Sequence, residues 1–373
     1  MKIAIISNKA SLLVTLRKAL LLELVSQGHD VIALAPDHDS TTRERLSSIG
    51  IQAVDTTMSR TGILPLGEFR AIFELRRLLI LHQIEACFSY VVKPVIYGTI
   101  AAWLAGVPRR YGSIDGLGYV FSDSGPLTLK WRLVRLVAYT MIRLSSLAID
   151  KLVFLNSDDL EYFVSKGLVS RKKAKLLGAI GVDLSEWKET LFESFPIRFI
   201  LIGRLLRDKG IAEYINAARI VKSRYPETQF VLMGGLDRNP TSFSPKEVND
   251  WIDEGVVEWI DHGDVAPQLE RSHVFVLPSY REGVPQSTQE AMAMGRPVIT
   301  TDVPGCRETI IDGFNGFMIP VRDVDTLAEA MQKFLNNPHL ISEMGRNSRR
   351  ISEKRFDAFK QSAKLVEIMD LNN

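Results

Sequence analysis

The chain has 373 residues, of which 46% are apolar and 24% charged, a composition typical of a globular protein long enough for two domains and not of a disordered one. Its two cysteines, Cys87 and Cys306, lack the paired spacing of a disulfide framework or a zinc site and indicate reduced thiols. No run of about 18 or more apolar residues is present to span a bilayer, and the strand-like N-terminus argues against a signal peptide.

The net charge of +2 is unevenly distributed along the chain. Residues 1–185 contain 23 Lys and Arg against 16 Asp and Glu, whereas residues 186–373 contain 23 against 28. A basic first half favours contact with an anionic surface. Because no nucleic-acid-binding module is visible, we expect membrane lipid phosphates and not nucleic acid as the anionic partner.

Strand-like and helix-like runs alternate along the chain, which predicts parallel sheets covered by helices on both faces. In the first half, the predicted strands are Lys2–Ser7, Val31–Ala35, Ile51–Val54, Ala86–Tyr90, Arg110–Ser113 and Lys151–Leu155. The helical patterns between them include Ser11–Gln27, Leu66–His82 and Thr128–Ile149. The last of these places a polar stripe with three arginines on one face of a mostly apolar helix, which is typical of a membrane-interface helix and also of a buried helix with one wet edge.

The second half repeats this pattern. Its predicted strands are Arg198–Gly203, Gln229–Met233, Val256–Trp259, Val274–Leu277 and Pro297–Thr301. Its predicted helices include Ser287–Met294, Asp325–Asn336, His339–Phe356 and Asp357–Leu371. The polar and aromatic stretch Asp183–Pro196, closed by a proline, is predicted to connect the two halves.

The segment 274–308 contains two glutamates on either side of a loop-to-helix junction. The buried strand VFVL ends at Pro278, and the following loop leads into the helix predicted at Ser287–Met294. Such a loop offers backbone amides and a helix N-terminus to an anion at the carboxyl end of a strand, where ligands of α/β sheets bind. Glu282 on the loop and Glu290 further down the helix suit one ligand with two ends, such as a sugar and a ribose joined by phosphates.

The spacing of Glu282 and Glu290 resembles the E-x7-E signature of retaining nucleotide-sugar glycosyltransferases of family 4, which have the GT-B fold. The stretch LIGRLLRDKG at 201–210 resembles the diphosphate-binding segment of that family. KPVIYG at 93–98 and GLGY at 116–119 resemble a bacterial subgroup that builds lipid-linked surface oligosaccharides. The likeness extends from the first strand to about Pro320.

The resemblance implies an α/β protein with two Rossmann-like domains facing each other across a cleft. The expected organisation is an acceptor-side domain at 1–185, a linker at 186–196 and a nucleotide-sugar-binding domain at 197–352. The remaining residues, 353–373, resemble the terminal helix that crosses back to the first domain in GT-B proteins.

Arg204 and Lys209 are the predicted ligands of the donor diphosphate. Cleavage of the glycosidic bond builds negative charge on the diphosphate, which fixed cations stabilise. The planar fork of Arg204 suits two phosphate oxygens, and Lys209 supplies a compact charge. We therefore expect no metal and no other cofactor; Asp37 and Asp39 have metal-like spacing but lie in a turn before a helix.

Glu290 is predicted to accept hydrogen bonds from the two ribose hydroxyls. The resemblance places Glu282 near the donor sugar, with the backbone of Gly283, Val284 and Pro285 approaching the sugar and phosphate. Two roles for Glu282 stay open. It is either the nucleophile of a double displacement or a ligand of the sugar in a same-face mechanism, in which the leaving phosphate takes the acceptor's proton. The second is preferred in the family.

The first domain supplies candidate acceptor residues. Asn8 lies in the loop after the first strand, where we expect it to contact either the acceptor or the donor phosphate. Lys93 is a candidate ligand for an acceptor diphosphate or for the donor sugar, and equally a solvated lysine. Asp115 is a candidate base for the acceptor hydroxyl, in a loop with Gly116 and Gly118 that is expected to line the cleft.

The predicted function is transfer of an N-acetylated hexose from a UDP-sugar to a polyprenyl-diphosphate-linked saccharide, with retention and without metal. The protein is expected to be cytoplasmic and peripheral on the inner membrane of a bacterium, in contact with anionic lipid. A nucleotide-sugar epimerase on the same fold and a non-catalytic nucleotide-sugar-binding subunit are the alternatives. An NAD-dependent oxidoreductase is disfavoured, because Ser7, Asn8 and Lys9 stand where a G-x-G-x-x-G motif is required.

Overall fold

Strands and helices alternate along the chain, as the hydrophobic pattern predicts, and form two separate parallel sheets. The computed structural model describes residues 1–58, 65–117, 129–190, 196–237, 239 and 241–371, with the backbone alone at 65–69 and 129–131. The chain divides into a first unit of residues 1–180 and 358–373 and a second unit of residues 181–357. The sequence-based bounds at 185 and 353 differ from these by five residues at each place.

The strands carry the labels β1 to β13 in chain order. They are β1 (Lys2–Ile6), β2 (Asp30–Ala35), β3 (Gln52–Asp55), β4 (Ala86–Tyr90), β5 (Arg109–Ile114), β6 (Lys151–Phe154), β7 (Ala174–Leu176), β8 (Arg198–Ile202), β9 (Gln229–Met233), β10 (Glu258–Ile260), β11 (Val274–Leu277), β12 (Val298–Thr301) and β13 (Gly316–Ile319). The eleven predicted strands are thus confirmed within a few residues; β7 and β13, both at sheet edges, were missed.

The helices carry the labels α1 to α14. They are α1 (Ala10–Val14), α2 (Lys18–Ser26), α3 (Ser40–Ser47), α4 (Pro65–Leu81), α5 (Val92–Leu104), α6 (Leu129–Ala148), α7 (Ser157–Ser165), α8 (Ile211–Arg224), α9 (Pro245–Asp253), α10 (Val265–Glu270), α11 (Gln286–Ala293), α12 (Val324–Asn336), α13 (His339–Arg355) and α14 (Ala358–Ile368). The last of them, α14, packs against α2 in the first unit.

The two sheets share the strand order 3-2-1-4-5-6 when the strands of each are numbered along the chain, and the first sheet has β7 as a seventh strand. The first is β3-β2-β1-β4-β5-β6-β7 and the second β10-β9-β8-β11-β12-β13, with parallel pairing throughout. The central strands are buried on both faces, which explains their unbroken apolar runs. In each sheet the strand order reverses once, between β1 and β4 and between β8 and β11, and ligands of such sheets bind outside the carboxyl ends of the strands at this point.

The predicted single helix at Ser11–Gln27 is wrong, because the structure has α1 and α2 with a break between them. The backbone N–H of Arg17 donates to the carbonyl of Leu12 five residues earlier, which ends the α-helical pattern. Arg17 is then drawn inward, with 2% of its side chain exposed. A long-range contact of this arginine, described below, overrides the local helical pattern.

The predicted polar stripe of α6 is divided in the structure, with Arg132 and Arg143 exposed and other members turned inward. Arg135 Nη2 donates to the Tyr162 hydroxyl at 3.1 Å, the hydroxyls of Tyr139 and Tyr162 are hydrogen-bonded to each other, and Ser146 is buried. This part of the stripe therefore faces the interior of the first unit, and much of the outward surface of α6 is apolar. No helix in the described part of the chain is long and apolar enough to cross a membrane.

Candidate active site

The loops after β8 and β11 meet at the point in the second sheet where the strand order reverses. The loop after β8 turns through a 3-10 helix at Arg207–Lys209. The next residue, Gly210, has φ +70°, and a Cβ there would lie 2.0 Å from the carbonyl oxygen of Pro278, just after β11. Only glycine permits this approach, so the sequence at Gly210 fixes the two loops against each other.

Hydrogen bonds from the β11 loop fix the same contact. The Asp208 carbonyl accepts from the Tyr280 backbone N–H at 2.8 Å and from the Ser279 hydroxyl at 3.0 Å. The pKa of the Asp208 carboxyl is raised above its ordinary value, chiefly by burial. The charge of Lys209 opposes this shift, and the charge of Glu282 adds to it. The loop after β8 is thus held where the side chain of Lys209 reaches the loop after β11.

Lys209 and Glu282, two of the predicted site residues, form an ion pair. Lys209 Nζ donates to Glu282 Oε1 at 2.5 Å, and the two side chains are 19% and 11% exposed. In this setting the charges are only weakly screened by solvent. Removal of either partner would leave the other charge partly buried and uncompensated.

The backbone of Glu282 is also supported from the loop after β12. Its N–H donates to the Pro304 carbonyl at 3.1 Å. Gly305 has φ +80°, and a Cβ there would lie 2.3 Å from the Glu282 carbonyl oxygen and 2.4 Å from that of Gly283. Three loops therefore position Glu282, and sequence reasoning missed the contribution of the third.

Helix α11 begins directly after this loop. Its N-cap is Pro285, which makes no side-chain capping bond, and the first N–H groups of an α-helix have no partner within the helix. The Ser287 hydroxyl donates to the Ile202 carbonyl at 3.1 Å, so the helix starts beside the carboxyl end of β8. Val284 and Gly283, which precede the helix, are buried. The combination of helix N-terminus, Lys209 and loop amides suits an anionic ligand.

Glu290 lies in the second turn of α11 and is partly buried. Burial raises the pKa of its carboxyl to about 8, against a smaller lowering by a hydrogen bond with Gln286. At neutral pH the group is therefore mostly protonated in the ligand-free protein. A displaced pKa of this kind next to a loop site is typical of functional residues.

Arg204, on the same loop as Lys209, has a different acidic partner. It is exposed, and its Nη1 donates to Asp237 Oδ2 at 2.9 Å in the loop after β9. The other oxygen of Asp237 accepts from the Asn239 N–H at 2.9 Å, so the carboxylate is held in a fixed turn. Sequence reasoning missed Asp237, although the two glycines at 234–235 after a strand signal a tight loop there.

The first sheet has its own loops where the strand order reverses, after β1 and β4. Asn8 lies in the turn after β1, which is closed by the Ser7 hydroxyl donating to the Lys9 carbonyl at 2.8 Å. Lys93 lies in the first turn of α5, with its ammonium 5.7 Å from the Tyr97 ring centroid. Val91, between β4 and α5, has φ +69°, a strained conformation for a β-branched residue and typical of functional loops.

Asp115, the candidate base, is held by a buried arginine. Arg17 Nη2 donates to its two oxygens at 2.6 and 2.8 Å, and the Ser113 hydroxyl donates at 2.6 Å. The guanidinium also lies 4.7 Å from the Tyr90 ring centroid. Sequence reasoning missed Arg17, because an isolated arginine gives no sign that it is buried. Gly116 follows Asp115 in the described loop.

Gly118, also predicted for the acceptor side, lies outside the described residues. Of the two acidic residues with metal-like spacing, Asp37 accepts from the Ala10 N–H at 2.6 Å and Asp39 caps α3 through the Thr42 N–H at 2.7 Å. Within the described ranges, no three His, Cys, Asp or Glu side chains are grouped so that they could hold a metal ion.

Two family models match the chain. The model described as "Glycosyl transferases group 1" matches residues 185–351, and the model "Glycosyl transferase 4-like" matches residues 2–155. Together they span most of the sequence, and the first covers every residue assigned to the site of the second unit.

Two bacterial glycosyltransferases are among the relatives of the chain. One, from Campylobacter jejuni, is an N,N'-diacetylbacillosaminyl-diphospho-undecaprenol alpha-1,3-N-acetylgalactosaminyltransferase, 26% identical over 363 residues, 93% of each chain. Another, from Escherichia coli, is a UDP-Gal:alpha-D-GlcNAc-diphosphoundecaprenol alpha-1,3-galactosyltransferase, 25% identical over 81% of this chain and 79% of its own. Both matches extend over the two units.

Solved structures are similar in fold. The Anabaena protein HepE in complex with UDP superposes with a TM-score of 0.76 at 16% identity, covering 100% of both chains. At this identity the likeness bears on the fold alone. It confirms the predicted fold class, α/β with two Rossmann-like domains of the GT-B type.

Proposed function

Because the chain belongs to the glycosyltransferase family of the group 1 and 4-like domains, we propose that it transfers a hexose from a UDP-sugar to a polyprenyl-diphosphate-linked saccharide. The acceptor is proposed from the relatives, two of which are named for diphospho-undecaprenol saccharides. One of these is named for the transfer of N-acetylgalactosamine and the other for the transfer of galactose. Both names support a hexose, and we propose an N-acetylated one.

The Lys209–Glu282 pair beside the N-terminus of α11 carries the donor half of this proposal. A nucleoside-diphosphate sugar brings a dianionic diphosphate next to a sugar ring, and the site offers a cation and helix amides next to a carboxylate. When the diphosphate binds, Lys209 would exchange Glu282 for phosphate oxygens, and Arg204 would supply the second charge. Glu290 would bind the ribose hydroxyls.

The carboxylate of Glu282, no longer paired with Lys209, would then bind the donor sugar. Its backbone is fixed by the loop after β12, and its carboxylate stands beside the proposed diphosphate position. This suits a ligand of sugar hydroxyls that also stabilises the positive charge developing on the ring. We propose the same-face mechanism, in which the bond from the anomeric carbon to the diphosphate breaks, the acceptor oxygen bonds on that face, and the leaving phosphate takes the acceptor's proton. The configuration at the anomeric carbon is retained.

Fixed cations would replace a metal in this reaction. Lys209 and Arg204 lie on the loop after β8, one held by Glu282 and the other by Asp237, so both charges are in place before the donor binds. Electrostatic groups held in place before the reaction need no reorganisation in the transition state. We therefore propose turnover without a divalent ion.

The acceptor half of the proposal is assigned to the first unit. Lys93 and the turn at Asn8 would bind the acceptor diphosphate, and Asp115 with Gly116 would contact the acceptor sugar. Two hydrogen bonds from Arg17 and one from the Ser113 hydroxyl keep the Asp115 carboxylate oriented, which suits a hydrogen-bond acceptor for the incoming hydroxyl. The protein would work on the cytoplasmic face of the inner membrane, in peripheral contact with it.

A transfer assay tests the proposal. Purified protein would be incubated in EDTA with UDP-GalNAc, UDP-GlcNAc, UDP-Gal or UDP-Glc and a short-chain polyprenyl-diphosphate-GlcNAc, and the product linkage read by NMR. We expect transfer of one sugar with retained α configuration and loss of transfer in Glu282→Gln. Epimerised donor without an acceptor-dependent product would favour an epimerase, and transfer that disappears in EDTA would contradict the metal-free mechanism.

A further inference from the structure

Helices α4, α5 and α6 pack side by side on one face of the first sheet. Their outer surface holds an unusual share of exposed apolar side chains: of the 17 large hydrophobic residues found exposed in the described part of the chain, ten lie on these three helices. They are Phe73, Ile80, Leu81, Trp103, Leu104, Leu133, Leu136, Val137, Leu144 and Leu147. Single exposed apolar residues need no explanation, whereas a concentration of them marks an interaction surface.

Five of these residues form one stripe along α6. At 3.6 residues per turn, Leu133, Leu136, Val137, Leu144 and Leu147 fall within an arc of about 100°. Leu133, Leu136 and Leu147 are 61%, 63% and 73% exposed. The opposite side of the helix packs inward through Ile142, as does Ile149 directly after the helix. Within the described residues, the five side chains of the stripe therefore stay exposed.

The charge around the stripe is positive. Arg132 and Arg143 are exposed and, at the same helical period, border the stripe along one side. Helices α5 and α6 contain no aspartate or glutamate at all. Helix α4 contains Glu68 and Glu74 together with Arg70, Arg76 and Arg77, and Glu74 accepts from the Thr57 backbone N–H at 2.8 Å. An apolar stripe bordered by arginines without carboxylates complements a surface that is apolar inside and anionic at its boundary.

We propose that the outer surface of α4, α5 and α6 docks on an anionic lipid bilayer, with the α6 stripe among the acyl chains and Arg132 and Arg143 at the lipid phosphates. This arrangement satisfies both parts of the surface at once. A second copy of the chain fits less well, because a symmetric contact would place these arginines against each other. The inference deepens the proposed function, since a polyprenyl acceptor resides in a membrane, but it is tested without any sugar donor.

Vesicle sedimentation tests the docking surface. The full chain is expected to sediment with vesicles of equal parts phosphatidylglycerol and phosphatidylcholine, and about tenfold less with phosphatidylcholine alone. Leu136→Glu with Leu144→Glu should lower partitioning to the anionic vesicles by roughly a hundredfold. Arg132→Ala and Arg143→Ala should each lower it by about fivefold and leave the weak binding to neutral vesicles unchanged.

A matched variant controls for the loss of exposed apolar residues in general. Ile252 and Ile311 are exposed on the second unit, 39% and 52%, and Ile252→Glu with Ile311→Glu should leave sedimentation unchanged. An equal loss in this control, or retained binding by the variant altered at Leu136 and Leu144, overturns the proposal. The proposal is also overturned if the wild-type chain does not bind vesicles but self-associates, and the substitutions at Leu136 and Leu144 abolish that self-association.

A fluorescent label locates the contact directly and does not depend on a destabilising substitution. Because Cys87 and Cys306 are buried, a thiol introduced by Leu144→Cys is labelled selectively with an environment-sensitive dye. Anionic vesicles should shift its emission to the blue, and a label at Ile252→Cys should show no shift; equal shifts, or none, refute the assignment. Vesicle binding without sugar transfer would contradict the proposed function and leave this surface intact.

Discussion

Replacement of Glu290 by glutamine is expected to stabilise the ligand-free protein at alkaline pH. Burial raises the pKa of this carboxyl to about 8 from its ordinary 4.5. Between these values the folded protein keeps a proton that the unfolded chain has released, so the free energy of unfolding falls as pH rises, by up to about 1.4 kcal/mol per pH unit. The stabilisation from this proton is complete below pH 4.5 and is lost once the pH passes about 8.

The size of the effect follows from the interval between the two values. For a fully desolvated carboxyl it corresponds to on the order of 5 kcal/mol. Glu290 keeps some contact with solvent, which screens its charge, so we expect about 2 to 3 kcal/mol at pH 9. Glutamine is nearly isosteric with the protonated acid, so the variant and the wild-type protein should be almost equally stable near pH 5.

Urea unfolding of both proteins at about pH 5, 7 and 9 measures this difference. The advantage of Glu290→Gln should grow steadily with pH, and the exposed helical Glu343→Gln should show no such trend. A constant difference across the pH range, or a wild-type protein that gains on the variant at pH 9, would refute the reasoning. The same substitution should weaken UDP binding, because a carboxylate offers each of the two ribose hydroxyls its own charged oxygen, whereas an amide has a single neutral oxygen to accept from both.

Three further substitutions probe the loops of the second unit. Lys209→Met should lower UDP affinity about ten- to a hundredfold by removing a charged hydrogen bond, as measured by calorimetry. Gly210→Ala should destabilise the protein by more than about 2 kcal/mol in urea unfolding, because the added Cβ would lie 2.0 Å from a carbonyl oxygen. The control Gly255→Ala, at φ +68° but with open space around the added Cβ, should cost about 1 kcal/mol. Arg296→Met should cost about 3 kcal/mol or more in the same assay, since this fully buried guanidinium donates to four backbone carbonyls; a loss below about 1 kcal/mol would contradict that role.

The alternation of strands and helices was readable from the sequence because it rests on local hydrophobic periodicity. Ala86–Tyr90, Gln229–Met233 and Val274–Leu277 were predicted to the residue, since each is a short apolar run between clear breaks. The edge strands β7 and β13 were not, because neither is an unbroken apolar run: Ala174–Leu176 contains a lysine, and Gly316–Ile319 begins with a glycine. Sheet-edge pairing is a property of the fold and not of the segment.

The site was predicted unevenly for the same reason. Spacing, residue type and the resemblance to the glycosyltransferase family together selected Lys209 and Glu282, which the structure brings into contact. The partners Arg17 and Asp237 were out of reach, because each is defined by a side chain distant in sequence. The orientation of α6 stayed open, because a helix with both polar and apolar faces does not reveal which face the rest of the fold covers.

Titration calorimetry of UDP in EDTA tests the central claim most directly. The claim is that Lys209 and the loops around Glu282 form a nucleotide-diphosphate site that needs no metal. The wild-type protein is predicted to bind UDP in EDTA, Lys209→Met to bind it about ten- to a hundredfold more weakly, and the exposed control Lys246→Met to bind it normally. Absence of UDP binding until a divalent ion is added, or equal affinity in the two lysine variants, would contradict the account.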